Sequence, residues 1–297
     1  MKLFDYCDFN IQQLIQEKTE QNVTVGVALP VLNEAGTLVN LLNFATKYKT
    51  MGLLDEIMVI DSGSIDGSDI LCKNYEVNYL KAENLAKEAG VNYVAGKGWN
   101  LWISVKYLKT DIILWLDSDI RNLNEGFILG LLGPLLVNKD VNFIKGYYHR
   151  PEGGGRVTEI LVRPLINLLF PKVQAFIQPL SGEYGGRRKY LEKIDYYSGY
   201  SVDIAILIQI SEILKNYQIG QVFLGTRLHK NQSVDSLGKM SIEITRTLFK
   251  LAEERSLLSI NVPLGKILRN FSYTNNVLCE NFYEATDVKL PPITKLN

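Results

Sequence analysis

Two carboxylates, Asp117 and Asp119 of Asp117-Ser118-Asp119, close an apolar run and are spaced so that both can reach one divalent cation. Hard oxygen ligands of this kind suit Mg2+ or Mn2+. Such an ion can clamp a diphosphate and offset the charge that develops on a leaving group. The same triplet also suits a turn in which aspartate caps a helix or closes an Asx turn. The preceding strand and the motifs elsewhere in the chain favour the metal reading. The chain has two histidines. His229, in Leu228-His229-Lys230-Asn231, could complete a metal site with Asp119, although a lone histidine is more often structural. His149, beside Arg150-Pro151, is read as structural.

Two further stretches suit anions. Lys97 sits in Gly96-Lys97-Gly98 at a helix start, where a cation and free N–H groups can meet a phosphate; the plain alternative is a solvated lysine in a turn. A nucleotide-binding P-loop is excluded, because Gly90 to Gly96 has one residue too many and Gly98 replaces the needed Ser or Thr. Gly153-Gly154-Gly155-Arg156-Val157-Thr158 places three glycines, a guanidinium and a hydroxyl before a helix, which makes an anion cradle or simply a flexible loop. The first strand runs into Pro30-Val31-Leu32-Asn33-Glu34 rather than GxGxxG, which argues against a dinucleotide dehydrogenase. No GxSxG elbow recommends a Ser-His-Asp hydrolase.

Strand-like and helix-like segments alternate around these motifs. Val23 to Leu29, Glu56 to Ile60, Asp111 to Leu116 and Asn142 to Tyr148 read as buried strands. Helices are expected from Asn33-Glu34 through Leu38, Leu41, Leu42 and Ala45, and over Asp66 to Tyr75, Gly98 to Leu108 and Glu125 to Val137. The pattern predicts an α/β fold with a mainly parallel sheet flanked by helices. The polar motifs fall at the carboxyl ends of strands, where such sheets bind ligands. Beyond residue 150 the chain reads as mostly helical. Arg156 to Phe170 is interrupted at Pro164, Val202 to Tyr217 and Met240 to Glu253 are helical, and a short strand over Gln221 to Gly225 leads to His229. From Pro263 the pattern fades. The expected division is an N-terminal extension over 1–22, a half carrying the strand-end motifs over 23–150, a mostly helical half over 151–258 and a C-terminal extension over 259–297.

The chain of 297 residues is 46% hydrophobic and carries 32 Lys plus Arg against 32 Asp plus Glu. That balance gives no reason to expect nucleic acid or an anionic membrane as a partner. Cys7, Cys72 and Cys279 form no CxxC pair, as suits free thiols in a cytoplasmic protein. The start of the chain lacks the apolar core of a signal peptide. The most apolar stretch, Gly126 to Val137, is shorter than the roughly 18 residues a membrane span needs.

In the order of its motifs the chain resembles the glucosyl-3-phosphoglycerate synthases, a family of retaining glycosyltransferases of the GT-A fold. The stretches that carry the resemblance are ALPVLNEAGT, VIDSGSIDGS, GKGWNLW, WLDSDI, GPLL, GGGRVTEILVRPL, QPLSGEY, GYSVDI and LGTRLHKN, between about Val25 and Ile244. The resemblance implies that Pro30, Leu32, Glu34 and Ser62 wall the uridine and that Lys97 meets the donor diphosphate. Asp117 and Ser118 would lie by the ribose and metal, and Asp119 with His229 would hold Mg2+ or Mn2+. Gly155, Arg156, Thr158 and Asn231 would hold 3-phosphoglycerate. Asp203 stands where the family pattern has a glutamate that touches the donor sugar. A homodimer is also implied.

The expected reaction is transfer of glucose from UDP-glucose or GDP-glucose, with Asp119, Lys97, Asp203 and Arg156 as the catalytic set. No protein nucleophile is obvious beside Asp203. Same-face attack is therefore favoured, with metal and Lys97 stabilising the departing diphosphate and Arg156 and Asn231 positioning the acceptor. The alternatives are a mannosyl-3-phosphoglycerate synthase using GDP-mannose, prompted by Asp203, and a catalytically silent nucleotide-sugar-binding protein. A sugar nucleotidylyltransferase would want a glycine-rich, basic first strand end, which is lacking.

Overall fold

Alternate residues along the central strands face opposite ways, and both directions are apolar. In the first long strand Val25, Val27, Leu29 and Val31 join one buried cluster, while Ala28 joins another on the far side. Ile112 and Leu114 point with the first set, Ile113 and Trp115 with the second. A sheet covered by helices on both faces needs this two-sided pattern. The computed structural model describes residues 1–88, 93, 95–150, 154–228, 232–274 and 276–296. His229 and Asn231, and the Gly153 end of the glycine run, lie outside the described residues.

The strands are β1 (Lys2–Asp5), β2 (Val25–Val31), β3 (Glu56–Asp61), β4 (Asn78–Lys81), β5 (Ile112–Trp115), β6 (Phe143–His149), β7 (Tyr184–Arg187), β8 (Tyr196–Tyr197), β9 (Ile219–Thr226), β10 (Ile267–Thr274), β11 (Val277–Glu284) and β12 (Lys289–Leu290). Eight of them form one sheet in the order β1-β9-β6-β7-β5-β2-β3-β4. Only β7 runs antiparallel to its neighbours β5 and β6; the other pairings in this sheet are parallel. The sheet draws on the first 22 residues through β1 and on the chain beyond residue 150 through β7 and β9. The order jumps between β2 and β5, and the loops leaving β2, β3, β5 and β9 open at one edge, the usual ligand crevice of such a sheet.

The helices are α1 (Ile11–Gln21), α2 (Ala35–Thr50), α3 (Ser68–Cys72), α4 (Ala82–Glu88), α5 (Lys97–Tyr107), α6 (Gly126–Val137), α7 (Arg163–Leu169), α8 (Arg188–Leu191), α9 (Val202–Ile213) and α10 (Val234–Glu254). Helices α1, α2 and α6 pack in one cluster and α5, α7, α9 and α10 in the other. The apolar α6 is buried from Gly126 to Leu136, its Gly133 pressed against the Phe9 ring. No described helix is long and apolar enough to cross a membrane.

Several segments differ from expectation, among them β1, β4 and β7, which the apolar pattern does not mark as strands. The stretch expected as one helix broken at Pro164 has a π-helical turn over Thr158–Val162 that continues into α7. Pro164 directly follows this turn, whose wider bonding, Arg163 N–H to the Thr158 carbonyl, is the kind of irregularity that lets a proline sit within a continuing helix. The fading tail forms a hairpin, β10 with β11, and β12 pairs with β8.

Candidate active site

The loop after β2 is held by its neighbours. Asp66 accepts the Ala35 N–H at 2.8 Å, capping α2 from another loop. Asn33, in the left-handed region at φ 55°, takes the Ser64 hydroxyl oxygen on its N–H and accepts the Ile65 N–H. This knot fixes Leu32 and Glu34 at the rim of a cavity of about 400 Å3. Burial and then the charge of Asp119 raise the Glu34 carboxyl above its usual range. After β3, Ser62 donates to Asn100 Oδ1 at 3.0 Å, and Asn100 donates to the Ile60 carbonyl.

Lys97 is no solvated lysine. Its ammonium lies 2.9 Å from Asp117 Oδ1 and 3.2 Å from Asp203. Burial pulls its pKa down, but the two carboxylates outweigh that and raise it above the ordinary lysine value. The flanking glycines have a physical reason. A Cβ on Gly98 would fall 1.7 Å from the Tyr197 carbonyl oxygen, and one on Gly96 would fall 2.3 Å from that of Ser198. The start of α5 can press on this backbone only without side chains.

Asp117 and Asp119 leave β5 side by side. Between them comes Arg227, which follows β9 and which the sequence reading missed. Its Nη2 lies 2.6 Å from Asp119 Oδ1, 3.4 Å from Asp117 Oδ2 and 3.3 Å from Glu183 Oε1. Burial alone would raise the Asp117 carboxyl, yet Lys97 and Arg227 hold it below the usual range. Burial pushes the Glu183 carboxyl up, against the pull of Arg227; both its oxygens lack a hydrogen-bond partner among the described residues. Ser118 donates its hydroxyl to the Pro30 carbonyl at 2.8 Å, so it ties two loops together.

Across the cavity, Gly155 at φ +77°, Arg156 and Thr158 line the wall with Arg150. Arg156 Nη2 donates to the Gln232 carbonyl at 2.7 Å, and Arg150 Nη2 donates to the Tyr148 hydroxyl. Asp203, 7% exposed, accepts the Tyr184 hydroxyl at 2.8 Å. Every expected site residue that is described lines this one cavity: Pro30, Leu32, Glu34, Ser62, Lys97, Asp117, Ser118, Asp119, Gly155, Arg156, Thr158 and Asp203. Arg227, Arg150, Glu243 and, from the tail, Tyr283 join them unforeseen. Arg227 had a usable signal, since it too directly follows a strand.

The donor set suits a divalent cation. Four carboxylates, Asp117, Asp119, Glu183 and Asp203, share two permanent cations, Lys97 and Arg227. Hard oxygens with surplus negative charge favour Mg2+ or Mn2+. The Asp119 side chain is 38% exposed, which leaves it accessible as a ligand. No cluster of three or more His, Cys, Asp or Glu side chains stands ready for a metal among the described residues; His229 is not one of these.

The model of the family described as glycosyl transferase family 2 matches residues 26–202. Glucosyl-3-phosphoglycerate synthase of Petrotoga mobilis is 41% identical over 266 residues, 86% of this chain and 81% of that protein. The Mycobacterium tuberculosis protein of the same name is 36% identical over 78% of this chain and 74% of its own. A crystal structure of the latter with Mn2+, UDP-glucose and phosphoglyceric acid superposes at TM-score 0.84 with 33% identity, covering 97% of this chain and 96% of that one. Mannosyl-3-phosphoglycerate synthase from Rubrobacter xylanophilus superposes at TM-score 0.92 with 29% identity, covering 99% and 97%.

Proposed function

The chain belongs to glycosyl transferase family 2 and, within it, to the glucosyl-3-phosphoglycerate synthases, and we propose on that footing that it transfers glucose from UDP-glucose or GDP-glucose to 3-phosphoglycerate, retaining the anomeric configuration. It is a hexosyltransferase of the GT-A fold. The observation that carries the substrate reading is the single cavity, which joins a strand-end wall, a carboxylate–cation cluster and a glycine–arginine cradle.

Pro30, Leu32, Glu34 and Ser62 would receive the nucleoside at the strand ends. Lys97 and Arg227 would take the diphosphate, adding phosphate oxygens to the carboxylates they already hold. Gly155, Arg156 and Thr158, with Asn231, would hold the phosphate and carboxylate of the acceptor. Asp119 and His229 would hold Mg2+ or Mn2+, which when bound offsets the charge of the departing diphosphate. Relatives have been crystallised with Mn2+ or Mg2+ and UDP. The chain before residue 150 would hold the nucleotide and the chain after it the acceptor, while Asp203 and Arg227, with His229, would bring the second half to the donor as well.

Asp203 is the side chain nearest to a nucleophile's role, and its bonds argue against that. Both its oxygens are engaged, by Tyr184 and by Lys97. A carboxylate held in this way is a poor attacker and a good fixed acceptor for a sugar hydroxyl. Same-face attack, with the acceptor hydroxyl positioned by the cradle, is the mechanism this supports.

A mannosyl transfer from GDP-mannose is the second reading. Asp203 in place of the longer glutamate and the close superposition on the Rubrobacter mannosyl enzyme favour it. The protein is incubated with Mg2+, 3-phosphoglycerate and, in turn, UDP-glucose, GDP-glucose, GDP-mannose and UDP-galactose, and released nucleoside diphosphate is measured. Acceptor-dependent release is expected with a glucose donor and is lost in Asp119→Ala. Release with GDP-mannose alone would establish the second reading; none with any donor would sink both. A homodimer, checked by sedimentation, and a cytoplasmic location in keeping with three free cysteines complete the proposal.

A further inference from the structure

Leu237, Met240 and Glu243 recur every three residues along α10 and line the cavity together, as side chains on one helix face do. A carboxylate on that otherwise apolar stripe needs a reason, because burying an ion is costly unless it is hydrogen-bonded. Glu243 is 4% exposed, and the partners it has among the described residues are neutral. Oε2 accepts the Tyr200 N–H at 2.9 Å, and Oε1 accepts the Tyr283 hydroxyl. Tyr283 comes from β11, in the tail hairpin. A Cβ on Gly199 would fall 2.3 Å from Glu243 Oε2, so the glycine lets the carboxylate press on the Gly199-Tyr200 turn. Three residues beyond Tyr200 stands Asp203, whose carboxylate also accepts a tyrosine hydroxyl, that of Tyr184.

We propose that Glu243 is a second carboxylate of the hexose subsite, accepting donor-sugar hydroxyls alongside Asp203, and that Tyr283 of the tail hairpin sets its orientation. This rests on the nucleotide-sugar reading of the cavity. An ionised carboxylate is acceptor-only, with about four lone-pair sites; two are filled here, and the side chain borders the cavity. Sugar hydroxyls are donors that need such acceptors where water is excluded, and bonds to an ionised acceptor are the stronger ones. Two carboxylates on this wall also repel a diphosphate, which Lys97 and Arg227 attract. The donor is therefore oriented with its sugar toward Glu243 and its phosphates away.

The test measures dissociation constants of UDP and of UDP-glucose by calorimetry with Mn2+, for the wild type, Glu243→Gln and Tyr283→Phe. Glu243→Gln is expected to weaken UDP-glucose about tenfold and leave UDP within about twofold. Tyr283→Phe shifts the same way by less. Among UDP-glucose analogues with one hydroxyl replaced by hydrogen, at least one should bind wild type and Glu243→Gln alike. Unchanged UDP-glucose binding in Glu243→Gln overturns the proposal, and so does equal weakening of UDP and UDP-glucose, which marks a purely structural role. If the wild type transfers no glucose but binds GDP-mannose with the same dependence on Glu243, the proposed reaction falls while this subsite stands.

Discussion

The Tyr184 hydroxyl donates to Asp203 Oδ1 across 2.8 Å, and everything around the ring keeps it there. Tyr184 is fully buried, its ring centroid 5.0 Å from that of Trp115, with the Lys145 ammonium 3.8 Å from the ring centre. Burial and the Asp203 charge push the hydroxyl well above the ordinary tyrosine range, so it stays a donor. Tyr184→Phe keeps the packing and removes one bond to a charged group, worth about 1.5–3 kcal/mol. We expect KM for the nucleotide sugar to rise roughly tenfold or more with UDP affinity unchanged. Steady-state kinetics and UDP titration check this; an unchanged KM would show that Asp203 does not need the tyrosine, and equal loss in both that the tyrosine supports the whole site rather than the sugar.

Gly182 lies directly against the Asp117 carboxylate. A Cβ there would meet Asp117 Oδ2 at 1.8 Å, far inside contact, so the carboxylate must turn away from Lys97 or the β7 lead-in must shift. Gly182→Ala is expected to lower kcat/KM by about 100-fold, since small misplacements at the reacting centre have that scale of effect. Thermal stability should fall much less than activity. Activity within about twofold of wild type would show that Asp117 needs no fixed position.

The sheet and the strand-end motifs were legible because period-two apolar runs and polar strand ends are local properties. Asp117, Asp119 and Lys97 are each announced by a strand or a helix beside them. Two parts were not legible. Arg227 and Glu183 form a buried pair between the end of β9 and the segment before β7, distant in the chain; the strand before Arg227 could have marked that residue, but nothing local marks their pairing. The tail hairpin is exposed along most of β11, so its residues carry no one-sided apolar period. Its contribution, the Tyr283 hydroxyl on Glu243, is a hydrogen bond between segments far apart in the chain.

Glu183 is fully buried, with Arg227 as its only ion-pair partner among the described residues. Arg227→Ala therefore strands a carboxylate. Breaking one half of a buried pair costs about 3–5 kcal/mol, and urea unfolding should show a loss of that order. Adding Glu183→Gln should restore much of the stability and none of the nucleoside diphosphate affinity, because the guanidinium proposed to meet the phosphates is still missing. If the double variant is no more stable than the single, the Glu183 charge is not what the arginine offsets.

Lys145 gives stability a pH dependence of unusual sign for a lysine. Its ammonium is buried against the Ser181 carbonyl, to which it donates at 2.6 Å, and burial pulls its pKa from 10.5 down to about 7. Between those values the unfolded chain holds the proton and the folded protein does not, so this group's contribution to stability rises with pH. Below pH 7 both states are protonated and the penalty is complete; it is gone once pH exceeds the unfolded value. Lys145→Met removes the ammonium and leaves the Ser181 carbonyl unpaired, a cost of about 1–3 kcal/mol. Near pH 6 the variant should be more stable than the wild type by about 1–3 kcal/mol, the several units of pKa depression outweighing that cost. Near pH 10 it should be less stable. Urea midpoints measured at intervals from pH 6 to pH 10 should cross; parallel curves would mean that Lys145 keeps its charge in the folded protein.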